Sequence, residues 1–194
     1  MGLITLIAGL AVFLGVHVFV TRRAARANAI ARMGEGSYKV VFSVLSAIGI
    51  ALIVYGFARY RANEWINIWS PPVWTRHLAL LLVWPAIIMV VAAYIPGNIK
   101  RVLKHPMLVG VKLWALAHLL ANGDLGSIIL FGSVLAWAVF DRISLKRRTD
   151  PGAPPIPIGG WPKDVAAIVV GTLLYLAIVV WFHPYVIGVP VIGG

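Results

Sequence analysis

The chain contains no cysteine, and its 194 residues include only six Asp and Glu. The first absence excludes disulfides, thiolate metal sites, iron–sulfur clusters, cysteine nucleophiles and covalently attached c-type haem. The second leaves few carboxylates for a di-iron carboxylate centre or the usual zinc ligand set. There is also no serine elbow, phosphate loop or dinucleotide fingerprint. What the sequence has in excess is apolar: 61% of residues are hydrophobic and the mean hydropathy is +0.92. A soluble globular domain does not have this composition, and a chain solvated by lipid does.

Six runs read as transmembrane helices: 3–20, 40–58, 74–94, 105–121, 125–140 and 165–183. At about 1.5 Å rise per residue, a run near 20 residues crosses the hydrocarbon core. The fourth run contains Lys112, and the fifth is short and starts directly after Asp124. Thirteen Lys and Arg fall in the odd-numbered loops, which carry Arg22 to Lys39, Lys100 to Lys104 and Arg142 to Lys163, against three in the even loops, Arg59, Arg61 and Arg76. Basic loops stay cytoplasmic, so both termini are expected outside. Arg22, Arg23 and Arg26 follow the first run rather than precede it, which argues against a cleaved signal peptide. The expectation is an all-α polytopic membrane helix bundle of six spans, one integral membrane domain over 1–194. The net charge of +11 is then topological, and no nucleic-acid partner is expected.

Between the spans, 21–37 reads as a short interfacial helix, and Trp65, Trp69 and Trp74 suit the headgroup layer. The Pro- and Gly-rich stretch 149–162 reads as an extended cytoplasmic loop. The sixth helix is expected to close at His183, before Pro184, with that imidazole at the interface and the tail lying at the outer surface.

Ionisable groups are costly in hydrocarbon, so His17, His77, His105, Lys112 and His118 are the side chains of interest. Lys112 lies about two turns inside its helix and can snorkel to the cytoplasmic surface. On the fourth helix Trp114, His118 and Asn122 share one stripe at 100° per residue, whereas His105 and Lys112 fall on another. Asn122, Gly123 and Asp124 carry capping and turn chemistry. A lone imidazole on an apolar helix is usually a packing residue, but several raise the expectation of a metal held between helices. Haem b needs only axial ligands and an apolar slot. His17, His118, His105 and His77 are the candidate metal ligands. By depth along the spans, His17 and His105 are inner, and His77 and His118 outer.

Three stretches carry a family resemblance: GVHVF around His17, PGNIKRVLKHP before the fourth helix, and W-x-x-x-H-x-x-x-N-G-D from Trp114 to Asp124. The chain resembles the NnrU family, multi-pass proteins of the bacterial inner membrane associated with nitrite and nitric oxide reduction, whose relatives include the plant 15-cis-zeta-carotene isomerase. The resemblance implies haem b with His17 and His118 as axial ligands, Trp114 and Asn122 beside it, and His105 as a prominent histidine at the start of a helix. The isomerase has a cysteine three positions before its second ligand; this chain has Ala115 there, so a thiolate-dependent ligand exchange does not transfer.

Three functions are compatible with these residues. One is a haem-dependent membrane protein of redox or isomerase type acting on a hydrophobic small molecule. A second is a non-enzymatic accessory protein that serves the assembly or electron supply of a membrane-bound denitrification reductase. A third is a small transporter with Lys112 in its path.

Overall fold

The computed structural model describes residues 1–148 and 158–192. It is helical throughout: α1 Gly2–Thr21, α2 Arg23–Met33, α3 Glu35–Asn63, α4 Val73–Tyr94, α5 Asn98–Leu103, α6 Pro106–Ala121, α7 Leu125–Lys146 and α8 Trp161–Ala177, the last continuing as a π-helix, Ile178–Ile187. Five helical segments, α1, α3, α4, α7 and α8 with its π extension, are long and apolar enough to span a membrane, and α6 is a shorter apolar helix of 16 residues. Together they account for the six spans expected. The reading of 21–37 as an interfacial helix corresponds to α2; most of 149–162 lies outside the described residues.

The chain folds as two compact units. The first holds residues 1–70 and 122–147, and so contains α1, α2, α3 and α7; the second holds 71–121 and 148–194, with α4, α5, α6, α8 and the π-helix.

In the first unit α1 and α3 pack antiparallel through small residues, the usual means of bringing helices close where lipid removes the hydrophobic drive. A Cβ at Gly9 would stand 2.6 Å from the Ile53 nitrogen, and one at Gly49 2.8 Å from the Phe13 Cβ. Gly2 and Gly56 meet the backbones of Tyr60 and Leu6 in the same way. This register places His17 about one turn beyond the Phe13–Gly49 contact, level with Phe42 and Ser46. At the far end, Glu64 accepts the amides of Gly2 at 2.6 Å and Leu3 at 3.0 Å, and pairs with the Met1 ammonium. These bonds, the ammonium first, pull its carboxyl from the ordinary 4.5 to about 2.

The connection after α3 is strapped to the start of α7. Ile68 and Trp69 donate to the Gly123 carbonyl at 2.9 and 3.1 Å, and Leu125 donates to the Ile66 carbonyl at 2.9 Å. Tyr60, fully buried, holds Ile66 through its hydroxyl, which accepts the Ile66 amide at 3.1 Å. Asp124 is the N-cap of α7, taking the Ser127 amide at 2.9 Å. The N-G-D motif therefore shapes the turn between α6 and α7, as its residue types suggest.

In the second unit α4 packs against α6 through Gly110, whose added Cβ would meet the Ala86 carbonyl at 2.6 Å, and against α8 through Gly171, 2.8 Å from the Ile88 Cα. Trp84 donates to the Thr172 hydroxyl at 3.0 Å. The expectation that the last helix closes at His183 is corrected: helix continues through Pro184 to Ile187 in π register and stops at Gly188, φ +75°. A proline lacks its amide and crowds the preceding turn, and the wider π turn accommodates both defects.

Candidate functional site

The histidines divide between the units. His17 is in the first, on α1; His77, His105, His118 and His183 are in the second. His77 is exposed on the early part of α4. His105 follows a tight turn in which its amide bonds the Leu103 carbonyl at 2.7 Å while Lys104 adopts φ +61° and ψ −45°. Those angles are close to the strained three-residue γ-turn, and they set His105 at the boundary where Pro106 starts α6. Among the described residues, no three His, Asp or Glu side chains gather into a group able to hold a metal ion. A centre that needs only one or two protein ligands does not depend on such a group.

The surroundings of His118 are of that kind. Its Nδ1 lies 2.8 Å from the carbonyl oxygen of Trp114, one turn earlier. A carbonyl can only accept, so Nδ1 carries the proton and Nε2 has the lone pair that a metal requires. The same kind of bond fixes the tautomer and orientation of metal-binding histidines in general. The Trp114 ring lies beside the imidazole, centroids 4.9 Å apart. His183 is a second ring neighbour of His118, with ring centroids 6.3 Å apart and planes 28° from parallel. The π register that carries the helix past Pro184 brings this second imidazole to His118. The stripe of Trp114 and His118 is visible in the sequence; His183 is not, because the proline after it suggests a helix end.

His17 has a parallel environment in its own unit. Its Nδ1 is 2.7 Å from the Phe13 carbonyl, which again places the proton on Nδ1. Phe13, Phe42 and Trp137 surround the ring with centroids at 4.2, 5.1 and 5.5 Å. The indole N–H of Trp137 and the Ser46 hydroxyl are buried with no hydrogen-bond partner among the described residues. On another side of α1 an apolar groove of about 540 Å³ runs along α7, lined by Ile7, Leu10, Leu14, Val18 and Ile129. Asn122 occupies the α6–α7 junction, half-buried, directly before Gly123.

The architecture and these imidazoles define a polytopic helical membrane protein with histidines held in one tautomer within its spans. Residues 5–191 match the NnrU protein family. That is nearly the whole chain, and the protein belongs to this family. No curated protein and no solved structure matches it significantly.

Proposed function

We propose that the protein is a haem b protein of the bacterial inner membrane, with His118 as an iron ligand and a redox or isomerase type of activity on a hydrophobic substrate. The observation that carries this reading is the pairing of His118 with His183. The two rings lie with centroids 6.3 Å apart, and together they would be able to hold one haem iron. The donor chemistry fits as well: two neutral imidazoles suffice for haem b, and no thiolate or carboxylate cluster is required. His17, with its proton also on Nδ1, is the ligand implied by the family resemblance and remains a candidate in its own unit.

Within this assignment each residue has a definite task. The Trp114 carbonyl holds the His118 proton on Nδ1 and aims Nε2. The Trp114 ring shields that imidazole from one side. The π turn and Pro184 hold His183 in place. Haem, when bound, would supply one-electron exchange or an open coordination position.

The test is haem content per chain after expression with ample haem. About one haem per polypeptide, lost in His118→Ala with membrane insertion intact, supports the reading. A haem-free wild type whose deletion still impairs nitrite or nitric oxide reduction in cells would support the accessory role in its place.

A further inference from the structure

The first unit carries a second recognisable site, remote in chemistry from the histidines. Where α1, α2 and α3 meet, a cleft of about 250 Å³ is lined by Val20, Arg26, Tyr38, Lys39, Phe42 and Ser43. Tyr38 is only 9% exposed, and its hydroxyl is buried with no hydrogen-bond partner among the described residues. A buried hydroxyl without a partner costs free energy, so its presence at the wall of a cleft points to something that occupies the cleft and bonds to it.

The charges identify that occupant. The Arg26 guanidinium lies over the Tyr38 ring, 5.7 Å from its centroid. This cation–π contact orients the guanidinium while leaving its N–H edges for an oxyanion. Lys39 lines the same cleft and is neutralised in part by Glu35, one turn before it, at 2.7 Å. Val20 and Phe42 supply the apolar side of the wall. The cleft also lies beside the loop that carries Arg22, Arg23 and Arg32, the side that the distribution of basic residues assigns to the cytoplasm. Cations, a desolvated hydroxyl and an apolar wall at headgroup depth match the phosphate of an anionic phospholipid, abundant in that leaflet.

We propose that the α1–α2–α3 elbow is a binding site for the headgroup phosphate of an anionic phospholipid of the cytoplasmic leaflet, with Arg26 and Tyr38 as its principal contacts. The site does not depend on the haem assignment, and its test does not read haem.

Full-length protein, purified in detergent and stripped of lipid, would be titrated with phosphatidylglycerol, with phosphatidylcholine of the same acyl chains, and with inorganic phosphate, and binding read by native mass spectrometry. Phosphatidylglycerol should bind in preference to both others. Arg26→Ala should weaken it about fivefold, the effect of one basic residue near an anionic surface, and Tyr38→Phe should weaken it measurably, with phosphatidylcholine unaffected by either. Tyr38→Phe removes one oxygen and preserves packing, so it tests the site even if Arg26→Ala disturbs α2. Equal binding of the two lipids, or unchanged phosphatidylglycerol binding in Tyr38→Phe, would overturn the proposal. Inorganic phosphate bound as tightly as the lipid would also overturn it, by assigning the cleft to a free anion.

Discussion

The carboxylate of Asp164, on the first turn of α8, accepts the backbone amide of Ile99 at 2.8 Å. It takes the Asn98 side-chain amide on its other oxygen at 2.9 Å. The short helix α5 is thereby capped by a residue 65 positions away, and Gly97, directly before it, packs so closely on Asp164 that a Cβ there would collide with the carboxylate. The PGNIKRVLKHP stretch is thus held from a distant part of the sequence.

Replacing this carboxylate should loosen the segment. Asp164→Ala is expected to destabilise the segment by removing the side chain that caps α5. The amide of Ile99 should exchange its hydrogen faster, while exchange in α4 stays unchanged. Hydrogen exchange read by mass spectrometry checks this, and an unaltered rate at 98–103 would contradict it.

Gly123 tests the outer strap. Its Cα faces the Trp69 peptide so closely that an added Cβ would overlap the carbonyl oxygen and lie 2.8 Å from the carbonyl carbon. Backbone cannot yield as a flexible side chain does, so Gly123→Ala should destabilise by about 1–3 kcal/mol. Thermal unfolding in detergent would show a lower midpoint than for Gly132→Ala, where a Cβ meets nothing within 4 Å. Equal midpoints would refute the strap.

Glu64 predicts a pH dependence. Its carboxyl titrates at about 2 in the folded chain and at 4.5 ordinarily. A depressed carboxylate contributes stability above its ordinary value and loses it as pH falls toward the depressed one. Glu64→Gln should therefore unfold at a lower temperature than the wild type at pH 7, and the gap should close between about pH 4.5 and pH 2. A gap independent of pH over that window would show that the amides of Gly2 and Leu3 do not rely on the charge.

The spans are legible because charge is expensive in hydrocarbon: the stretches 3–20, 77–94 and 165–183, holding His17, Ala86 and Gly171, contain no Asp, Glu, Lys or Arg. The stripe of Trp114 and His118 is legible because a four-residue spacing on a helix fixes it, and the structure adds a hydrogen bond along that same spacing. Asp164 is not legible, since an acid just before an apolar run reads as the edge of a span and its partners are 65 residues distant. His183 is hidden for a different reason. Pro184 is a sound signal for ending an α-helix, but a π turn absorbs it, and only the three-dimensional path brings that imidazole to His118. The pairing of Gly123 with Trp69 depends on backbone approach, which has no signature beyond the glycine itself.

On the proposal above, His118 and His183 would together hold one haem iron. Absorption spectra of the purified protein, oxidised and reduced, measured beside His118→Ala, His183→Ala and His17→Ala, test it most directly. The expected result is a Soret band in the wild type, its loss in His118→Ala, and a shifted or weakened band in His183→Ala. A wild type without the band, or bands in both His118→Ala and His183→Ala indistinguishable from it, would rule out haem ligation by this pair.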